Sequence, residues 1–308
     1  MKKLFLLTIL LILKGGLLFS QVAISTDGSE PHVSAVLDLQ SANQGFLLPR
    51  VTTWQQKNID EPASGLMIYN LDSNDVYFYN GLYWLSLRNL TDTIQKWICG
   101  DSLFDIRDMK VYATVKLGTQ CWMAENLSVG TRINGNSNQT DNGIIEKYCY
   151  DDLESNCDIY GGLYQWDETM QYSMQQGVQG ICPPGWHVPS DEEWKILEGT
   201  VDSQYGVGDS EWDATGWRGY DAGETLKSTN GWSYSGNGTD LYGFTALPGG
   251  YRGDTGSFNH LGNHGLWWSS TENNGSTTWT RNLHYGNVKV ARNGRSKTDG
   301  YSLRCLKD

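Results

Sequence analysis

CPPGWHVPSDEEWKILE, residues 182–198, marks one element of this chain more clearly than any other stretch. Pro189 interrupts what precedes it. Ser190 then offers a side-chain acceptor to the open N–H groups of a first helical turn, and Glu193, three positions on, can reach back to the Ser190 N–H. Asp191, Glu192 and Glu193 place negative charge where the helix dipole favours it. Trp194, Leu197 and Val201 recur on one face, so the spacing predicts an amphipathic helix docked on a core.

Upstream, Leu163, Trp166, Met170 and Met174 recur at helical spacing in GLYQWDETMQYSM, which predicts a second helix. Downstream, residues 200–242 show no sustained period and a Gly every few positions, the pattern of a long structured loop. Short strands are then expected in GFTALPGGYR, GLWWSSTE, TTWTRNLHY, GNVKVARN and GYSLRCLKD. Two helices, a long loop and returning strands predict an α+β domain whose sheet is closed by the C-terminus. With 36 Gly, 13 Trp and 17 Tyr, such a domain is rich in loops and held by large aromatic anchors.

The first residues, MKKLFLLTILLILKGGLLFSQ, combine Lys2 and Lys3 with an apolar run that Lys14, Gly15 and Gly16 cut short. That predicts a signal peptide over residues 1–21, cleaved beside Ser20 or Gln21, and no transmembrane segment. Loss of three lysines leaves 20 basic residues against 35 acidic, a charge of −15. Nucleic acid and anionic lipid need a basic footprint and are expected to be poor partners. The six cysteines, an even number behind a signal peptide and without a C-x-x-C pair, predict three disulfides rather than zinc. The spacing pairs Cys149 with Cys157 across DDLESN, Cys99 with Cys121 across the turn RDMK, and Cys182 with Cys305.

Residues 22–90 differ in character and contain no cysteine. SAVLDLQSANQGFLLPRVTT and SGLMIYNLDSNDVYFYNGLYWLSL predict a small β-rich module with a meander, too small to bury a sizeable core without packing on itself or on other chains. Those two stretches resemble a module near the start of many Bacteroidetes surface proteins, which implies a surface or stalk element. The polar segment Asn89 to Lys96 is the expected boundary.

From residue 97 to 308, QCWMAENL, CYDDLESNCDIYGGLYQWDETM, CPPGWHVPSDEEWKILE, FTALPGGYRGDTGSF, GLWWSSTE and GYSLRCLKD follow in an order that resembles the Fibrobacter succinogenes major paralogous domain. VPSDEEW and YSLRC are also similar to segments of the C-type-lectin-like fold shared with the formylglycine-generating enzymes. The resemblance implies that fold, with two helices, a long structured loop and short antiparallel strands. It does not imply the enzyme's chemistry, because Trp279 to Tyr301 lacks its reactive cysteine pair.

A G-x-S-x-G elbow is absent, and Ser269 and Ser270 are expected to cap a turn. The carboxylates are numerous, but sequence alone does not pair them for glycoside hydrolysis. Glu272 stands out among strands, with burial beside Arg252, Arg281 or Arg304 as its structural explanation. His260 and His264 lack a third ligand and are expected to be surface residues. No cofactor is expected; the one metal considered is a structural calcium on Asp202, Asp209, Asp213 or Asp221.

The fold implied by the resemblance directs ligands to the long loop. Its Trp212, Trp217, Tyr220, Trp232 and Tyr234 can stack on sugars, and Asp213 and Asp221 can accept hydrogen bonds from hydroxyls. The expectation is therefore a non-catalytic, secreted or cell-surface recognition module for a glycan or surface protein. The alternatives are a structural component of a surface or filament assembly and a polysaccharide-active enzyme.

Overall fold

A computed structural model of the chain describes residues 22–25, 28–81, 83–87 and 97–308. The expected signal peptide and the boundary segment Asn89 to Lys96 lie outside the described residues. The chain divides into two compact units, Met1–Lys96 and Trp97–Asp308. Among the described residues no helix is long and apolar enough to cross a membrane.

In the second unit, here called the head, the capping box of residues 190–193 forms. Ser190 Oγ accepts the Glu193 N–H, and the Glu193 carboxylate accepts the Ser190 N–H. The helix that follows, Asp191–Val201, turns Trp194, Leu197 and Val201 inward onto Trp122, Phe244 and Trp267. Its other buried face carries charge. Four antiparallel strands pair in the order Gly216–Arg218, Val290–Ser296, Thr277–His284 and His264–Asn274. Side chains alternate across a sheet, so Arg281 and Arg292, which are cross-strand partners, and Arg218 point to the helix side. There Arg281 bridges Asp191 (2.8 Å) and Glu198 (2.6 Å), Arg292 forks onto Asp191 (2.7 and 2.9 Å), and Arg218 meets Glu198. Burial alone would raise the Asp191 pKa, but the two arginines outweigh it and hold the group at about 2.

A second four-stranded sheet, in the order Trp186–His187, Leu306–Lys307, Gln120–Met123 and Thr114–Leu117, places the C-terminal strand between two others. Buried tryptophans fill the core, and indole N–H groups find backbone acceptors there: Trp166 on Ser269 O, Trp194 on Trp268 O and Trp268 on Tyr164 O. Disulfides join Cys99 to Cys121, Cys149 to Cys157 and Cys182 to Cys305, the pairs that the spacing indicates.

Several local expectations are corrected. The helix expected through residues 163–174 is a single turn, Trp166–Thr169. Leu163 and Tyr164 bridge to Tyr148 and Tyr301 as extended chain, Gln171 and Tyr172 take left-handed φ of 49° and 59°, and Met174 is exposed. Ser269 and Ser270 are buried within the strand His264–Asn274 and cap no turn. Glu272 pairs with Lys297. Arg252 and Arg304 are instead buried on loop carbonyls, Arg252 on Gly135 O and Thr298 O and Arg304 on Phe244 O and Thr245 O.

The first unit contains the parallel pair Val22–Ser25 and Leu37–Gln40 and a four-stranded sheet ordered Arg50–Val51, Met67–Asn70, Asp75–Tyr79 and Trp84–Ser86. The last three strands form the meander read from the sequence. The helix Thr53–Lys57, closed by a Thr52 and Gln55 capping box, was not expected. Among its described residues Ile68 is the buried apolar side chain, whereas Val33, Val36, Phe46, Leu47 and Trp54 are all exposed.

Candidate functional site

The same alternation that sends the arginines to the helix sends Trp217, Asn282, His284, His264 and Arg295 to the opposite face of the sheet. Trp217 lies on the outermost strand and is 40% exposed. Its ring centre is 6.2 Å from that of His284, which is 4.2 Å from Tyr285, and Tyr285 is 5.0 Å from Tyr234, itself 83% exposed. Four rings thus form a continuous row. The row is held from beneath by buried Lys227, which donates to the carbonyls of His284 (3.3 Å) and Asn287 (3.1 Å) and lies over the Trp232 ring.

At His284 the row branches. His264 is its direct cross-strand partner, 4.5 Å away ring to ring; His260 follows at 4.9 Å, and Tyr251 stacks on His260 at 5.7 Å and 28°. These residues wall a cleft of about 390 Å³, with Asp254, Asp299 and Arg295 at its rim. Burial lowers the pKa of His264 below its ordinary value despite the hydrogen bond to Asn282, and burial together with Lys227 and His260 lowers that of His284. Both imidazoles are therefore neutral at pH 7. His260 takes a left-handed φ of 64°, which a non-Gly residue holds only when its surroundings impose it.

The residues expected to bind divide into two groups. Trp217, Tyr220 and Tyr234 are exposed, and two of them join the row. Trp212 and Trp232 are core: Trp212 donates to Gly206 O beneath Arg218, and Trp232 donates to Ala246 O and Ser228 Oγ. Neither presents a face, because a Gly-rich loop of this length stays folded only around large plugs. Asp213 is paired with Lys195 at 2.7 Å, and Asp221 accepts from Ser203. His284, Tyr285 and Tyr251 were not singled out from the sequence. The signal was there in the alternation of TTWTRNLHY, which places Asn282 and His284 on one side and Trp279, Arg281 and Leu283 on the other.

Of the aspartates considered for calcium, Asp202 and Asp209 serve backbone donors, Asp213 a lysine and Asp221 a serine. The Asp202 carboxylate accepts the N–H groups of Gln204, Tyr205, Tyr220, Asp221 and Ala222, and Asp209 caps Glu211. Gly219 makes this arrangement possible: its φ is 83°, and a Cβ there would stand 2.6 Å from the Trp212 ring and 2.9 Å from Asp202. Among the described residues the potential metal ligands that converge are Cys149, Glu154 and Cys157, where both sulfurs are committed to a disulfide.

Residues 115–307 match the Fibrobacter succinogenes major domain. The chain belongs to this family. In this Fibrobacter succinogenes major domain protein the match spans both four-stranded sheets of the head, the main helix and every residue of the ring row and cleft. Residues 23–100 match a phage tail like trimerisation region, which replaces the Bacteroidetes surface module expected from the sequence. No curated protein and no solved structure matches the chain.

Proposed function

We propose that this Fibrobacter succinogenes major domain protein is an exported, non-catalytic recognition protein, with a head that binds a glycan or surface protein and a base that joins several copies. The observation that carries the reading is the row Trp217–His284–Tyr285–Tyr234, exposed at both ends and half-buried between, on a head whose other large rings are mostly buried. Contiguous rings at a surface expose apolar area that contact with a ligand removes from water, and they do so at little entropic cost. A C-type-lectin-like arrangement of the head accords with its capped helix, the structured loop after it, and a terminal strand set between two others. Three disulfides and the signal-like first residues accord with an oxidising, extracytoplasmic setting.

Self-association of the base rests on a different imbalance. With Ile68 as the one buried apolar side chain among its described residues and many exposed ones, the unit shows little core of its own, and packing against identical copies would supply it. The name of the matching region points to a trimer. That base also fits a structural component of a surface assembly; open-ended association without any ligand for the head would favour it. To test recognition, the mature chain is screened against glycans and surface proteins. Capture that is lost in Trp217→Ala and Tyr234→Ala, with unchanged melting, supports the proposal. The absence of any captured partner contradicts it.

A further inference from the structure

The cleft beside the ring row has a chemistry of its own. One wall is aromatic, with Tyr251 stacked on His260 and edge-on to Tyr301 at 5.7 Å. The remaining lining supplies both donors and acceptors. Asn282 is buried, and its Oδ1 accepts from His264 Nδ1 at 2.9 Å. Asp299 accepts from Tyr301 Oη at 2.8 Å and from the Asp254 N–H at 3.1 Å, which leaves lone pairs on both carboxylates. Arg295 stands exposed at the rim.

Two carboxylates face one guanidinium, a formal balance of −1, and burial raises the Asp299 pKa against the lowering by Tyr301 and Asp254. Neither a polyanion nor a strongly cationic peptide finds a matching field here. An apolar peptide side chain finds mainly polar walls. Mixed donors and acceptors around one ring face instead match a polyol with an apolar C–H face. The volume lies at the lower end of the roughly 300–1,000 Å³ usual for small-molecule sites.

We propose that the cleft is a saccharide subsite taking one uncharged pyranose unit, its apolar face on Tyr251 and its hydroxyls on Asp254, Asp299, Asn282 and Arg295. The proposal rests on the recognition reading above and adds the chemistry and seat of the ligand. Continuity through His264 and His284 would let a longer chain run from this cleft onto the ring row.

The test uses the full mature chain, with methyl glucoside, methyl galactoside and methyl mannoside as probes beside glucuronate and lysine methyl ester. Binding is read from the ring resonances of His260 and His264. At least one neutral glycoside is expected to shift both histidines. Asp254→Asn and Arg295→Ala, which are exposed substitutions, should each weaken that binding about tenfold, the size of one lost hydrogen bond to a charged group, with melting unchanged. Tyr251→Ala should remove it. A response to glucuronate or lysine ester alone, or glycoside binding indifferent to Asp254→Asn and Arg295→Ala, overturns the assignment. So does release of free sugar from nitrophenyl glycosides that Asp299→Asn abolishes, because the cleft would then be an active site. If a surface polymer is captured through Trp217 but no neutral glycoside reaches the histidines, this inference fails and the recognition reading stands. If nothing is captured while a glycoside binds the cleft, the cleft assignment stands and the ring row loses its part in recognition.

Discussion

Asp191 and Glu198 lie seven positions apart on one buried helix face and together take three arginines from the sheet. Asp191→Asn would leave Arg292 buried without its counter-charge and Arg281 with Glu198 alone, and it is expected to cost about 3–5 kcal/mol in chemical denaturation. The same carboxylate gives the head an acid limit. Its folded pKa, about 2, lies below the ordinary 3.8, so its contribution is complete above about pH 4 and is lost as the pH falls towards 2. Melting temperature should drop through that window, and Asp191→Asn should flatten the drop; an unchanged slope would rule out the arginine cluster as its cause. From sequence Asp191 was legible only as helix N-terminal charge, and Glu198 was not singled out. The partners of Asp191 lie 90 and 101 residues away and those of Glu198 20 and 83, and local pattern carries no information about such pairing. Trp217 and Trp232 present a similar difficulty, since both sit in the same Gly-rich loop and their rings differ only in burial. Trp232→Ala is expected to lose about 3–5 kcal/mol of stability and Trp217→Ala almost none, as thermal melts of the two variants would show.

The main helix was legible in full, because its start depends on four adjacent residues. Ser190→Ala removes the acceptor for the Glu193 N–H and is expected to cost about 1 kcal/mol by equilibrium unfolding, while Thr200→Ala, near the other end, should cost less. Strands His264–Asn274 and Thr277–His284 were equally legible from alternation and turn residues. The stripe Leu163–Met174 misled because helical spacing of large residues arises equally when an extended segment and a single turn each send an anchor into one core. Leu163 anchors through a bridge to Tyr148, Trp166 through the turn and its Ser269 bond, and Met174 does not anchor at all. The cysteine pairing was legible for the short loop from spacing alone. The Cys182–Cys305 bond closes 123 residues, so chain entropy assigns it about 4–5 kcal/mol. The double variant Cys182→Ser, Cys305→Ser should therefore unfold at markedly lower denaturant than wild type. A midpoint within error of wild type would show that the terminal strand is held by its sheet neighbours alone.

At the scale of the molecule, composition and charge argued against nucleic acid and anionic lipid as partners, and the break in character near residue 90 lies close to the limit of the first compact unit at Lys96. The base shows why a sequence can be read strand by strand and still leave its assembly open. Its meander was visible, but whether Val33, Val36, Phe46 and Leu47 face a core or a neighbour depends on copies that a single sequence does not display. Light scattering of the mature chain is expected to give three times the monomer mass, and a chain beginning at Trp97 should be monomeric; a monomeric full chain would remove the base from the account. The ring row decides the rest. Titration of a captured glycan or surface protein against wild type, Trp217→Ala, Tyr234→Ala and the double variant tests it most directly, with melting recorded for each. The account predicts progressively weaker binding, about tenfold or more for each ring, at unchanged melting temperature. Equal affinity across all four proteins would contradict it.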